Sequence, residues 1–261
     1  MKQQPIQFFE TDFLYMALEE CARKKYDPAY MPSLVDLKTQ FTPAEDSEMW
    51  YLECTTPSIM ALGKTTKGNE VGLIAHCPNY LTAVKTLQKA SFEKYEFSDE
   101  KKSKIPLQRY IIPQEEFERL VQLDGNGNVF VIDYNSLLSR GTLKDNTVLE
   151  TVSLDELLSH PLAIPFFGGK ERAERYMKKS QEITQSTQIN FQYDLGIFDY
   201  PTGTFLGLNN IWGGPEPIYT LDASGKQKTW AYMDLSDDCV IKHQARFLGV
   251  KQPKLPQQVR A

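Results

Sequence analysis

Three times along the chain a short apolar run breaks at a proline or a glycine pair and resumes as a helical stripe. No other feature constrains the fold as much. VGLIAHCPNYLTAVKTLQKA (71–90), PLQRYIIPQEEFERLVQL (106–123) and PLAIPFFGGKERAERYMKKS (161–180) each read as strand, junction, helix. The helical anchors keep one spacing: Tyr80, Ala83 and Val84, then Phe117, Leu120 and Val121, then Ala173, Tyr176 and Met177. An i, i+3, i+4 triplet is what one helix face needs to cover a sheet. Pro113 stands where a helix tolerates proline, in its first turn. Two of the units share a sequel, NVFVIDYNSLLSRGTLKDN (128–146) and INFQYDLGIFDYPTGTFLGLN (189–209), each a strand, a short apolar segment, a Gly-Thr pair and an Asn. LDGNGNVFVIDY (123–134) echoes LDASGKQKTWAYM (221–233) in the same way. Either a strand–helix–strand unit is duplicated, or two α/β units resemble each other by chance. The expected class is α+β or α/β, mixed sheets flanked by helices.

The remainder is read from punctuation. ETDFLYMALEECARKKYDP opens on a Thr/Asp cap and closes on Arg23, Lys24 and Lys25, as a helix dipole prefers, with Phe13, Met16, Ala17 and Cys21 as its apolar stripe. Pro28, Pro32 and Pro43 mark a connection; MWYLECTT (49–56) reads as a strand, and GKTTKGNE (63–70) as a turn before the buried strand VGLIA (71–75). In SLDELLSHP (153–161), Ser153 caps a short helix with Glu156 as its capping-box partner, and His160 falls at the helix end. The polar, proline-ended SDEKKSKIP (98–106) sets a soft boundary between an N-terminal α/β half (1–100) and a C-terminal half (101–250), which can pack as one body. The tail KQPKLPQQVRA (251–261) has no apolar period and is expected to be frayed or extended.

With 41% hydrophobic and 24% charged residues and a formal net charge of −5, the 261-residue chain has the mix of an ordinary globular protein. No dense Lys/Arg stripe points to nucleic acid. No apolar run approaches the roughly 20 residues of a membrane helix, and MKQQPIQFFETDF lacks a signal-peptide core. The expected compartment is the cytoplasm. Cys21, Cys54, Cys77 and Cys239 are far apart and, with only three histidines (His76, His160, His243), build no zinc spacing. Reduced, mostly buried thiols are expected, with no metal and no cofactor.

LDGNGNVFVIDYNS (123–136) looks at first like a calcium loop, because Asp124, Asn126 and Asn128 take the 1, 3, 5 spacing of oxygen ligands. A calcium loop of that type also wants Gly at position 6 and a bidentate Glu at position 12, where this chain has Val129 and Asn135. The glycines and asparagines are instead those a chain uses to reach positive φ between a helix and a strand. The stretch is read as a turn.

Chemistry could sit at AHCPNYLTAV (75–84). Cys77 is placed where a strand ends and a helix begins, with Asn79 as cap and His76 beside it. Helix N-termini depress thiol pKa values, so Cys77 and His76 are the candidate catalytic pair. Neighbours on a strand point to opposite faces, however, and the other two units carry no Cys or His there. FFGGKER (166–172) could cradle an anion, with Gly168, Gly169, Lys170 and Arg172 at a helix N-terminus, although no phosphate-loop fingerprint accompanies it. A Gly-Gly junction also simply relieves crowding between elements. NNIWGGPEPIY (209–219), with Asn209, Trp212 and Tyr219, has the aromatic, Gly- and Pro-rich makeup of a recognition loop, against the simpler role of covering one end of the core. Asp237 and Asp238 in LSDDC read as a solvated turn.

IPFFGGKERAERYM (164–177) followed by INFQYDLGIFDYPTGTFLGLN (189–209) resembles the N-terminal domain of the bacterial SseB-like family over about 50 residues. The shared pattern is a strand ending in Phe, an Ala-containing helix, a strand, a short helix, and a Gly leading to an Asn. Gly168–Gly169 departs from the small polar residues usual there. The resemblance implies a compact α+β domain and an accessory or interaction protein, with no catalytic residues to carry over. Two functions stand side by side. One is a non-catalytic cytoplasmic binding protein, of accessory or immunity type, that contacts a protein partner through an acidic face and the Trp212 loop. The other is a thiol-dependent hydrolase or transferase acting through Cys77.

Overall fold

The computed structural model describes residues 6–11, 14–40, 56–80, 82–92, 109–111, 113–138, 142–144, 147–184, 188–194, 205–207, 220–221, 227–228, 231–235 and 245–251. In chain order its elements are β1 (Ile6–Thr11), α1 (Leu14–Arg23), β2 (Asp27–Pro28), α2 (Met31–Lys38), β3 (Ile59–Lys64), β4 (Glu70–Ala75), α3 (Val84–Phe92), β5 (Arg109–Ile111), α4 (Gln114–Val121), β6 (Val129–Asp133), α5 (Tyr134–Leu138), β7 (Thr142–Lys144), β8 (Thr147–Ser153), α6 (Leu154–Leu157), α7 (Ala163–Phe167), α8 (Lys170–Thr184), β9 (Gln188–Asp194), β10 (Phe205–Gly207), β11 (Thr220–Leu221), β12 (Gln227–Lys228), β13 (Ala231–Leu235) and β14 (Ala245–Val250).

The unbroken apolar run of β4 is explained by burial on both faces. Val71, Leu73 and Ala75 belong to one core cluster, with Ala17 and Cys21 of α1, Leu87 of α3, and Phe117 and Leu120 of α4. Ile74 faces the other way, into a second cluster with Leu34 and Val35 of α2, Phe166 and Phe167 of α7, and Ala173 and Tyr176 of α8. Neighbouring strands split the same way: Ile59 and Ala61 of β3 go to the first cluster and Met60 to the second. The period of two thus sorts one sheet into two helix-covered layers.

That sheet has the order β5-β10-β3-β4-β6, with each neighbouring pair antiparallel. A second sheet runs β13-β9-β8-β7, where β13 lies parallel to β9 and the other pairs are antiparallel. β14 is held between β1 and β2, antiparallel to both, and β11 pairs with β12. The chain is therefore α+β. Strands from both sides of residues 98–106 share the first sheet, and β1 pairs with β14, so backbone hydrogen bonds cross the expected boundary; residues 98–106 themselves lie outside the described residues. No helix among the described residues is long and apolar enough to cross a membrane.

Two of the three expected helices carry their predicted faces. Phe117 and Leu120 of α4, and Ala173 and Tyr176 of α8, are buried. The first unit differs. Its helix starts only at Val84, so Tyr80 is 38% exposed, and Leu87 supplies the buried contact. The third unit differs more: residues 163–167, expected as a strand, form α7, which buries Ala163, Pro165, Phe166 and Phe167. A five-residue run that is apolar all round satisfies either geometry, and periodicity cannot separate them. The second unit opens on a strand and the third on a helix, so the two do not repeat each other at that position. It is also the place where the SseB-like pattern calls for a strand ending in Phe.

Elsewhere α2 occupies what reads as a proline-marked connection, with Pro32 in its first turn. On α1, Met16 is 41% exposed while Tyr15 is buried beside Ala17 and Cys21, which narrows the expected stripe. The turn at 123–128 is as read: Gly125 and Gly127 have φ of 79° and 82°. Asn126 Oδ1 accepts from the Asn128 and Val129 N–H groups at 2.8 and 2.9 Å, and Asp124 Oδ1 accepts from Val131 N–H at 2.8 Å. Two of the three supposed calcium ligands, Asp124 and Asn126, thus turn a side-chain oxygen to backbone N–H groups, and no group of three or more metal-ligating side chains gathers among the described residues.

Candidate functional site

The junction after β4 buries His76 rather than bringing it to a surface. Its ring is buried and bonded at both nitrogens: Nε2 lies 2.6 Å from the Pro165 carbonyl oxygen and Nδ1 lies 2.9 Å from Ser58 Oγ. A carbonyl can only accept, so Nε2 carries the proton and the Ser58 hydroxyl donates to Nδ1. Ser58 Oγ in turn accepts from the Met31 N–H at 2.9 Å. The neutral imidazole thereby ties the residues before β3, the end of β4, α2 and α7 together. Burial pushes its pKa down to about 4; the Pro165 carbonyl works the other way and the Arg172 guanidinium adds to the depression.

Cys77 does not share this network. It is a half-buried free thiol whose pKa is raised, by burial first, with Arg119 pulling weakly downward. The helix that was to activate it does not begin there. Asn79 and Thr82 build a polar turn first, Thr82 Oγ1 accepting from Asn79 N–H at 3.0 Å and Asn79 Oδ1 from Thr82 N–H at 3.3 Å. The dipole end of α3 is thus displaced from the sulfur to Val84, and the expected depression of the thiol pKa is replaced by a rise. Cys21 behaves likewise, buried and pushed up to about 11, its Sγ within 3.2 Å of the Tyr26 carbonyl.

The Gly168–Gly169 junction is the opposite case. Gly168 ends α7 in the left-handed conformation at φ 71°. A Cβ there would sit 2.3 Å from Pro32 Cγ, so only glycine fits both the turn and the contact with α2. α8 then starts at Lys170, beside a cleft of about 800 Å³ lined by Asp36, Thr39 and Gln40 along and after α2 and by Gly168, Gly169, Lys170, Glu171, Arg172 and Arg175. Arg172 Nε bonds both carboxylate oxygens of Asp36 at 3.0 Å, and its Nη1 donates to the Gly168 carbonyl at 2.9 Å. Arg175 bonds the same carboxylate. One aspartate thus holds two guanidiniums in place beside a helix N-terminus, an arrangement that presents fixed donors to solvent.

Of the residues expected to bind, Gly168, Gly169, Lys170 and Arg172 converge here, while Asn209, Trp212 and Tyr219 lie outside the described residues. His76 and Cys77 are adjacent in sequence but do not act together. Asp36 and Arg175 were not foreseen; the i, i+3 spacing of Arg172 and Arg175 could have suggested a shared partner, whereas nothing near residue 36 pointed to it.

His160 follows the end of α6, as expected, with its N–H bonded to the Leu157 carbonyl at 3.0 Å. It is buried, accepts from Leu162 N–H at Nδ1 (3.1 Å), and so donates through Nε2 to the Glu150 carboxylate of β8. Ser153 caps α6 as read, accepting from Glu156 N–H at 3.3 Å, with the Glu156 carboxylate returning to the Ser153 hydroxyl at 2.7 Å.

No protein-family model matches the chain, and no curated protein matches it. Among solved structures, it is similar to one described as the accommodation of massive sequence variation in Nanoarchaeota by the C-type lectin fold. The two share 27% identity at a TM-score of 0.65, covering 95% of this chain and 99% of the other.

Proposed function

We propose that the chain is a non-catalytic binding protein that works through protein–protein contacts. The observation that carries this reading is His76: the side chain best placed for acid–base work spends both nitrogens on the core. The raised pKa of Cys77 supports it further, since a nucleophilic thiol needs the opposite shift. The likeness to a C-type lectin fold supports it by analogy of scaffold: the fold of that nanoarchaeal protein is described as accommodating massive sequence variation, and a fixed core under a variable surface suits recognition. The contact surface proposed is the cleft at Gly168, Gly169, Lys170 and Arg172, together with Asn209, Trp212 and Tyr219. An accessory or immunity-type role in the cytoplasm is the setting we favour.

The test is alkylation of the native chain by iodoacetamide from pH 5 to 9, with mass spectrometry locating the label. Slow labelling of Cys77, with a midpoint above the ordinary thiol value of about 8.5, is expected. Rapid labelling of Cys77 alone, with a midpoint well below 8.5, would overturn the binding reading in favour of a thiol-dependent enzyme.

A further inference from the structure

Asp124 and Asn126, which lent the turn at 123–128 its calcium-loop look, are engaged by the strand that follows. β6 is the last strand in the order β5-β10-β3-β4-β6 among the described residues. It opens on Val129, Phe130, Val131 and Ile132, a run of high β propensity with no charge and no proline. A strand of that makeup at a sheet edge is a template for a second chain, because one row of its backbone groups faces away from the sheet.

The register identifies that row. His76 N–H donates to the Asn128 carbonyl at 2.7 Å where the β4–β6 pair begins, so Asn128, Phe130 and Ile132 turn their backbone groups toward β4. Val129, Val131 and Asp133 turn theirs away from it, and each finds a partner in the same stretch of chain. The Val129 N–H donates to Asn126 Oδ1 at 2.9 Å, and its carbonyl accepts from the Gly125 N–H at 3.2 Å. The Val131 N–H donates to Asp124 Oδ1 at 2.8 Å. The Asp133 carbonyl accepts from the Ser136 hydroxyl at 2.6 Å. Positive φ at Gly125 and Gly127 lets the turn curl back to reach the strand it leads into.

We propose that residues 124–126 guard this edge: they fill the outward side of β6 and so keep it from pairing with the β6 of a second copy of this chain. An incoming strand would have to displace the Asp124 carboxylate and the Asn126 amide before it could bond along the edge. A carboxylate accepts more strongly than the peptide carbonyl that would replace it. Asp124 also sets a negative charge on the edge, which a second copy would meet with its own.

The test compares the full chain with its Asp124→Ala, Asn126→Ala double variant by hydrogen exchange and by sedimentation. Both side chains are exposed and neither residue has a positive φ, so alanine leaves the core and the turn's backbone in place. In dilute solution, exchange in the peptide covering 129–133 is expected to rise about tenfold. As concentration is raised about a hundredfold, the variant's mass is expected to climb above that of the parent at the same concentration. Asp124→Asn alone, which keeps the acceptor oxygen, is expected to exchange like the parent. Val131→Pro added to the double variant removes the outward N–H that a second strand would need, and is expected to return the mass to the parent's. Unchanged exchange in the double variant would overturn the proposal, as would faster exchange with the parent's mass at every concentration. Association that survives Val131→Pro would overturn it too, by placing the contact away from this edge.

Discussion

The two junctions that looked alike as sequence, AHCPN (75–79) and FFGGK (166–170), have opposite fates in the structure. At the first, the polar residues turn inward and are consumed: His76 by Ser58 and Pro165, Asn79 by Thr82. At the second, two glycines remove side chains altogether, and the helix that follows opens onto a cleft with Arg172 and Arg175 fixed around Asp36. The lesson is that a junction's capacity for function depends on whether its donors and acceptors have already been satisfied by the core. The two also depend on each other. Pro165, one turn before Gly168, is the acceptor of the His76 proton, and a Cβ on Gly168 would come 3.5 Å from the His76 ring.

The strongest way to break this arrangement is Gly168→Ala. The new methyl meets Pro32 at 2.3 Å, the proline ring cannot swing aside as a flexible side chain would, and the φ of 71° strains any residue with a Cβ. Strain and overpacking together are expected to cost about 4 kcal/mol. A chemical-denaturation midpoint would report it, with the m value unchanged. A variant within about 0.5 kcal/mol of the parent would show that α2 and α7 are loosely packed at this point, and the coupling between the junctions would fail with it.

The next largest effect is a dependence on pH. His76 is neutral in the fold with a pKa near 4, below the ordinary value of 6.5, so the unfolded chain takes up its proton first as pH falls. Its contribution is therefore fully present above about 6.5, declines steadily below it, and is gone by about 4, a loss of about 3 kcal/mol across that window. His76→Gln should be less stable than the parent at pH 7, because the Gln amide cannot reproduce both bonds, and its stability should fall less steeply between pH 6.5 and 4. Unfolding curves at intervals of half a pH unit would test the sign. Parallel profiles for the two chains would remove His76 as the source.

The helix after the second junction was legible because the buried residues Ala173 and Tyr176 of α8 lie within one turn of each other. Ala173 and Tyr176 mark their face by spacing alone, as Phe117 and Leu120 do for α4. The turn at 123–128 and the Ser153 cap were legible for the same local reason. What lay beyond reach was set by partners far away in sequence. Ser58 is 18 residues from His76 and Pro165 is 89 away, and the contact that fixes the cleft joins residues 136 apart. α7 was misread as a strand because a short segment buried on all sides has no polar face to reveal its period. Met16 was misplaced because the stripe of α1 is narrow: Ala17 and Cys21 suffice to seat it against the sheet.

The smallest expected effect comes from Asp36→Asn, and it sharpens the contrast most. The substitution keeps shape while removing the charge that two guanidiniums share. Asp36 and Arg172 side chains are about a third exposed and Arg175 about half, so water screens the pair, and the cost should be about 1 kcal/mol rather than the several expected in the core. Arg172 would keep its bond to the Gly168 carbonyl, which limits the loss further. The cost should shrink as salt is raised from low concentration toward 1 M, where charges more than about 3 Å apart are screened from one another. A cost of about 3 kcal/mol or more that ignored salt would mean the cleft is held as rigidly as the histidine network, and the division between a closed junction and an open one would not stand. A salt-dependent cost near 1 kcal/mol would instead place these arginines where binding needs them: oriented by Asp36, yet still able to exchange one anionic partner for another.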